Sequence, residues 1–197
     1  MNILSSTYIF SFYTLISRIL GYIRDILIAI FLGTSIFADA FFVAFRLPNT
    51  FRRLFAEGTF NAAFIPSYTA EKIKSEKSAK YFADNILTLL IIALSIVVLL
   101  AEIFTPFLVY LIAPGFLQDI EKFDLAVEFT RITFPFLLFV CLSSFFSGIL
   151  NSNNKFAAAA AAPIILNIIL ILSLLISYIF DLDISKNLTI GVSLAGL

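Results

Sequence analysis

Hydrophobic residues dominate this chain in long runs that short polar segments separate. A helix that crosses a membrane needs about 20 mostly apolar residues, and five runs reach that length before a sixth begins. The runs lie at residues 3–32, 37–68, 82–113, 125–150, 156–180 and 188–197. The sixth is cut off at Leu197, so we expect the chain to be part of a longer polypeptide. The pattern predicts an all-α integral membrane protein, a polytopic helical bundle of about six transmembrane helices.

Composition strengthens this prediction and narrows the possible functions. The chain is 61% hydrophobic and 13% charged, with a mean hydropathy of +1.04, whereas soluble domains average about 45–50% apolar and 25% charged residues. Its net charge of zero gives no reason to expect a nucleic-acid partner. The sequence contains no histidine, which removes Ser-His-Asp and Cys-His catalysis and histidine-ligated metals. We therefore expect no enzyme of these classes, no cofactor and no metal site.

Two local features refine the membrane prediction. The first run is longer than the roughly 7–15-residue core of a signal peptide, so we expect it to be retained as the first span. Cys141 lies alone within an apolar run, and we interpret it as a small residue of a membrane helix.

The positions of the lysines predict the orientation of the bundle. Short cytoplasmic loops carry an excess of Lys and Arg. Lys72, Lys74, Lys77 and Lys80 follow the second run, and Lys155 separates the fourth from the fifth. The loops on the opposite side are acidic, since they carry Asp119, Glu121, Asp124, Asp181 and Asp183. Lys122 and Lys186 lie in the same loops and weaken the contrast. We expect the lysine-rich side and the amino terminus to be cytoplasmic.

Small residues and prolines mark expected helix contacts and kinks. Small side chains allow membrane helices to approach closely, and two such groups occur. They are Ser143, Ser144, Ser147 and Gly148 on the fourth span, and Ala157 to Ala162 on the fifth. We expect both groups to pack helices rather than bind a ligand. Pro106, Pro135 and Pro163 are expected to kink their spans.

The first span contains charges that lipid would not tolerate. Arg18, Arg24 and Asp25 lie within an apolar frame, and each ionised residue near the bilayer centre costs roughly 2.5–3.5 kcal/mol. At about 100° per residue, the polar and small side chains of this span fall on an arc of roughly 140°. They are Ser11, Thr14, Ser17, Arg18, Gly21, Arg24 and Asp25. This face should line a polar cavity or the protein interior.

The second span repeats the pattern. Asp39, Arg46, Arg53 and Glu57 project within roughly 40° of one another on a continuous helix. Pro48 argues against continuity, because its ring removes a backbone donor and clashes one turn back. A local break at Pro48 would turn Arg52 or Arg53 inward.

These charges have two kinds of interpretation. In the first they are structural: Arg18 or Arg24 pairs with Asp39 or Glu57 as a clasp between helices, or Arg46, Arg52 and Arg53 extend to water at the membrane surface. In the second they bind an anion, because five arginines outnumber three acids in these spans. Guanidinium groups bind phosphate through a planar, bidentate fork. Periodicity alone does not distinguish a lipid diphosphate from a nucleotide, a sugar phosphate or an anionic drug.

Several sequence blocks resemble the MurJ (MviN) family of lipid II flippases, within a superfamily of drug and polysaccharide exporters. The most specific blocks are residues 17–25 (SRILGYIRD), 38–49 (ADAFFVAFRLPN) and 52–58 (RRLFAEG). Weaker matches are residues 62–66, 113–116, 134–135, 148–151, 155–156 and 163–167. The resemblance implies the first lobe of a two-lobe transporter in the bacterial inner membrane. Its cargo would be lipid II, an undecaprenyl diphosphate that carries a disaccharide-pentapeptide, moved from the cytoplasmic to the periplasmic leaflet by alternating access.

The resemblance also implies roles for individual residues. Arg18, Arg24 and Arg52 match arginines that bind the diphosphate or lie beside the cavity, and Asp39 and Glu57 match acids tied to gating. We add Ser17, Asp25, Arg46 and Arg53 as supporting or gating residues. We further expect Asp39 and Glu57 to pair with arginines in one conformation and release them in another. The partners would be lipid II and membrane lipids, with any contact to the cell-wall synthesis machinery left open.

Three alternatives remain at this stage. The same architecture would suit another anionic, lipid-linked saccharide. A membrane scaffold would use the charges only to hold helices together. A membrane enzyme acting on polyprenyl diphosphates would need a carboxylate cluster for a metal or a nucleophile with its base, and the acids here are too dispersed to suggest either.

Overall fold

A computed structural model of the chain describes the backbone of residues 3–56, 59–153 and 156–196, and the side chains of residues 8, 11–50, 60–153 and 161–196. The regular structure of these residues is helical. The helices are α1 (Ile3–Leu32), α2 (Ile36–Ala56), α3 (Thr59–Lys74), α4 (Glu76–Ile103), α5 (Thr105–Ile112), α6 (Ile120–Thr133), α7 (Phe136–Ser152), α8 (Phe156–Ile179) and α9 (Ile184–Leu194), with a short 3₁₀ helix at Pro114–Gln118.

The helix α2 continues through Pro48, so the break considered at that residue does not occur. Proline leaves the carbonyl four residues earlier without its usual N–H donor. That carbonyl belongs to Ala44, and the hydroxyl of buried Thr133 on α6 donates to it at 3.1 Å. A neighbouring helix therefore satisfies the group that the proline frees, as the membrane interior requires.

The third and fourth predicted spans are each broken next to a proline, Pro106 and Pro135, at which a kink was predicted. The third is α4 followed by α5, with Phe104 between them and Pro106 at the start of α5. The Thr105 hydroxyl contacts both nearby carbonyls, of Ala101 at 2.7 Å and Glu102 at 3.0 Å. The fourth is α6 followed by α7, which meet at Phe134 and Pro135. In contrast, α8 continues through Pro163.

The bundle packs around α7, which contacts α2, α3, α4 and α8, while α1 lies along α8 and α2 along α6. Phenylalanines and leucines fill its interior, including Phe41, Phe129 and Phe136. Cys141 is buried in a second apolar cluster, in agreement with its predicted role. The helices approach closely at Gly148 on α7, where an added Cβ would lie 2.8 Å from Oδ1 of Asn61 on α3. Gly148 therefore packs α7 against α3, as predicted, whereas Ser143 and Ser147 line cavities. The side chains of Ala157 to Ala160 on the fifth span lie outside the described residues.

Large hydrophobic side chains cover the outside of the bundle. On α1, Phe12, Ile19 and Tyr22 are more than half exposed, whereas Arg24 lies on the side that meets α8. Among the described residues, three helical segments are long and apolar enough to cross a membrane: Glu76–Ile103, Ile120–Ser152 and Ala161–Ile179. An apolar exterior with polar groups inside identifies lipid as the surroundings of this bundle.

The lysine-rich turn after α3 lies against the end of α7. The Lys72 ammonium donates to the Asn153 side chain at the C-cap of α7, and Lys74 pairs with Glu71 at 2.6 Å. Hydrogen bonds from Lys74 and from the Ser78 hydroxyl lower the pKa of Glu71. The basic residues of this turn are therefore gathered at one end of the bundle, near the carboxyl end of a helix where cations are favoured.

Candidate anion-binding cavity

A cavity of about 280 Å³ lies between α1, α2, α7 and α8, and the residues that follow α9 close one side. Most of its wall is apolar, from side chains such as Phe45, Phe136 and Leu166. Its polar side chains come from four helices: Arg24 of α1, Asn49 of α2, Ser143 of α7 and Asn167 of α8. An apolar space with a few convergent polar groups is the usual form of a ligand site.

Among the described residues of this wall, Arg24 is the charged one, and its side chain is 18% exposed. Its Nε and Nη2 donate to one carboxylate oxygen of Asp25, at 2.9 and 2.8 Å. Its Nη1 donates to Oδ1 of Asn167 at 2.8 Å. A guanidinium has five N–H donors, so three bonds leave one N–H on each terminal nitrogen. Those two donors are available to a further anion.

Asn167 is buried, with 5% of its surface exposed. Its amide Nδ2 donates to the backbone carbonyl of Ser17 at 2.9 Å, while its Oδ1 accepts from Arg24. Gly21 lies between these two contacts on α1, and a Cβ added there would stand only 3.6 Å from Nδ2. Ser17, Gly21 and Arg24 thus form the strip of α1 that faces α8, as their shared arc predicted.

A second space of about 460 Å³ adjoins the first between α7 and α8. Phe139, Phe146 and Ile165 give it an apolar wall, with Ser143 and Ser147 as its polar side chains. Ser143 also lines the first cavity. The guanidinium of Arg24 therefore lies at the polar end of a longer, mostly apolar space.

Comparison with known proteins decides the family of this chain. A family model described as "Lipid II flippase MurJ" matches residues 28–197, which is most of the sequence. The chain belongs to the MurJ family. A "Probable lipid II flippase MurJ" of Rickettsia prowazekii (strain Madrid E) is 43% identical over 194 residues, which cover 98% of this chain. One from Rhizobium tropici is 45% identical over 172 residues, which cover 86% of it.

A solved structure agrees with this assignment. It is described as "Lipid II flippase MurJ, inward closed conformation" and matches 95% of this chain with a TM-score of 0.80 and 33% identity. The chain spans 38% of the Rickettsia relative, 32% of the Rhizobium relative and 39% of the solved chain. This MurJ chain thus shares its fold with the corresponding part of longer proteins.

In this chain, two of the three predicted diphosphate arginines, Arg18 and Arg24, have described side chains, and one of them reaches the cavity. Arg24 lines it, but the side chain of Arg18 is exposed and is not among the lining residues. Arg46 is also exposed. The backbone of Arg52 and Arg53 lies in α2, while their side chains, and Glu57 altogether, lie outside the described residues.

Asp39 pairs with Lys122 of α6 and not with an arginine of α1. The Lys122 ammonium also lies 4.5 Å from the ring centre of Phe116. In this conformation, neither Arg18 nor Arg24 forms the clasp with Asp39 that the structural interpretation considered. The reason is the bond from Arg24 to Asn167, which turns its guanidinium toward α8, whereas Asp39 lies at the start of α2 beside α6.

Sequence reasoning missed Asn167 and Lys122 as partners of the predicted residues. Asn167 lies in an almost wholly apolar stretch of α8, and one polar residue in such a stretch was the available signal. Lys122 was treated only as a charge that blurs the loop pattern. Among the described residues, no three acidic or cysteine side chains gather in a way that would hold a metal ion.

Proposed function

We propose that this chain forms the amino-terminal lobe of a flippase that moves lipid II across the bacterial inner membrane. The observation that carries the proposal is the guanidinium of Arg24, which lies in a cavity within a membrane bundle of the MurJ family. Its two remaining N–H donors suit the oxygens of a diphosphate. The apolar extension between α7 and α8 suits the less polar part of such a cargo. The second lobe of the transporter would close the site.

The proposed roles of the other residues follow from their charge and, where described, from their contacts. Arg18, Arg46, Arg52 and Arg53 would supply positive potential that draws the diphosphate toward Arg24. Asp25 pairs with Arg24, and the Ser17 carbonyl accepts from Asn167, the other partner of Arg24. The lysine-rich turn supports a cytoplasmic amino terminus, because short cytoplasmic loops carry an excess of Lys and Arg. Lipid II would therefore enter from that leaflet.

Binding of lipid II tests the proposal directly. We would measure it by native mass spectrometry with the purified full chain, comparing wild type with Arg18→Ala, Arg24→Ala and Arg24→Lys. Arg131→Ala is the matched control, because Arg131 is exposed on α6 and does not line the cavity. We expect wild type and the control to bind, and the Arg24 variants to lose at least about tenfold in affinity. Equal binding by all variants would make these arginines structural and favour the scaffold alternative.

We also propose that Asp39 takes part in gating by exchanging partners. It pairs with Lys122 in the present conformation, and an arginine of the first two spans would take its place in another. Exchange of ionic partners is an established way to hold two states of similar energy. We predict that Asp39→Asn slows flipping of a fluorescent lipid II in proteoliposomes while leaving its binding unchanged. A normal flipping rate for this variant would contradict the exchange.

A further inference from the structure

We propose that Asn167 is a positioning residue that fixes the Arg24 guanidinium for the anion, an inference that rests on the proposed function. In this proposal Asn167 does not itself bind the anion or the lipid. It acts through Arg24, whose Nη1 donates to its Oδ1 at 2.8 Å.

The first step of the argument is that the Asn167 amide has a fixed direction. Its Oδ1 accepts from Arg24, and its Nδ2 donates to the carbonyl of Ser17, seven residues earlier on the same helix. A flipped amide would set an NH₂ group against a guanidinium and a carbonyl against a carbonyl, so both bonds would be lost. Asn167 therefore locates the Arg24 head group relative to the backbone of α1 itself.

The second step concerns the charge of the two partners of Arg24. Asn167 is neutral and almost wholly buried, whereas Asp25 is charged and its side chain is 62% exposed. A neutral acceptor orients the guanidinium without compensating its positive charge, so the charge can still attract an anionic ligand. An exposed carboxylate is easily replaced by a more highly charged anion, because water already reaches it. Arg24 thus has one permanent, neutral partner and one exchangeable, charged partner.

The third step is that the space around Asn167 fits this residue closely. α1 passes close to the amide at Gly21, where an added Cβ would be in ordinary van der Waals contact with both amide atoms, at 3.6 and 3.8 Å. An aspartate has nearly the same shape as an asparagine but carries a negative charge. A leucine has a similar volume and no hydrogen-bonding group. These two substitutions therefore separate charge, hydrogen bonding and packing.

The test measures the dissociation constants of the full chain for inorganic pyrophosphate and for undecaprenyl diphosphate. We expect Asn167→Leu to weaken both by about tenfold, because a hydrogen bond to a charged group is lost. Asn167→Asp should weaken both by more, since its carboxylate competes with the phosphates for Arg24. Asn187→Leu is the matched control: Asn187 of α9 donates to Ser177 of α8 at 3.1 Å, an interhelical asparagine bond outside the cavity.

A double-mutant cycle distinguishes positioning from general stability. If Asn167 acts through Arg24, then Asn167→Leu should weaken binding by less than about threefold in the Arg24→Lys background, where the fork is already missing. A full tenfold loss in that background, or wild-type affinity in both Asn167 variants, would overturn the inference while leaving the proposed function intact. Failure of wild type to bind either diphosphate would overturn both.

Discussion

Arg24 is held by two residues that respond differently to an incoming anion. Asp25 occupies the edge formed by Nε and Nη2, which is one of the edges by which an arginine binds phosphate in a bidentate manner. A diphosphate would have to displace this carboxylate or bind the remaining terminal N–H groups alone. Asp25 is therefore an internal competitor for the anion as well as a counter-charge for the empty site.

This competition gives a prediction for Asp25→Asn. The variant removes the competing charge but keeps an acceptor of the same size, so we expect its affinity for pyrophosphate to rise by about threefold to tenfold. Isothermal titration of the full chain at constant ionic strength would measure it. Asp84→Asn, an exposed acid of α4, is the control for a general change in net charge. A weaker affinity in Asp25→Asn would mean that Asp25 orients Arg24 more than it competes.

The sequence predicted half of this site. A helical arc placed Ser17, Gly21 and Arg24 on one face, because residues close along a helix have a known angular spacing. It did not place Asn167, which lies 143 residues from Arg24 in the sequence, since no local rule fixes which helix lies against that face. The same arc also held Arg18, whose exposed position shows that the strip facing α8 is narrower than the arc.

At the scale of the helices, buried hydroxyl groups compensate for proline. Thr133 donates to the carbonyl of Ala44, which Pro48 leaves without an N–H donor. We predict that Thr133→Val lowers the free energy of unfolding by about 1–3 kcal/mol, the usual cost of an unsatisfied buried acceptor. Thermal unfolding in detergent would measure the change. Thr88→Val is the control, because Thr88 is exposed and bonds only to the carbonyl of Asp84 on its own helix.

The contact between α3 and α7 depends on a residue without a side chain. A Cβ at Gly148 would lie 2.8 Å from Asn61 Oδ1 and 3.2 Å from the ring of Phe64. We predict that Gly148→Ala destabilises the protein by about 1–3 kcal/mol, the usual cost of excess volume in a packed core. Gly115→Ala is the control, because a Cβ there would meet no atom within 4 Å. Equal melting temperatures for the two variants would show that the two helices adjust freely.

The helix boundaries show which parts of the fold hydropathy could predict and which it could not. Hydropathy located the fifth span to within a residue, since 156–180 was predicted and α8 is Phe156–Ile179. It merged α2 with α3, α4 with α5 and α6 with α7, because an apolar run continues past the end of a helix. Pro106 and Pro135 marked two of these three breaks. The sequence also suggested a break at Pro48 that does not occur, because the hydroxyl that stabilises this proline comes from α6, 89 residues away from Ala44.

At the scale of the whole molecule, the lysine-rich turn after α3 and the acidic segment at the start of α6 are predicted to lie on opposite sides of the membrane, and this orientation is open to a direct test. We predict that a cysteine in place of Lys77 reacts with a membrane-impermeant maleimide only after the cells are permeabilised, whereas one in place of Glu121 reacts in intact cells. Cys141→Ser supplies the background, although Cys141 is itself buried. The reverse labelling pattern would place the lysine-rich turn outside and contradict the proposed direction of transport.

The tie between α1 and α8 has a consequence for how the protein is made. Asn167 is synthesised 143 residues after Arg24, and at about 5–20 residues per second the ribosome needs roughly 7–30 s to reach it. During that interval the first span is already in or near the translocon while its arginine lacks the amide that later holds it. Asp25, the adjacent residue, is present from the start. Asp25 is therefore the partner of Arg24 during insertion, and Asn167 becomes the second partner once the fifth span has been made.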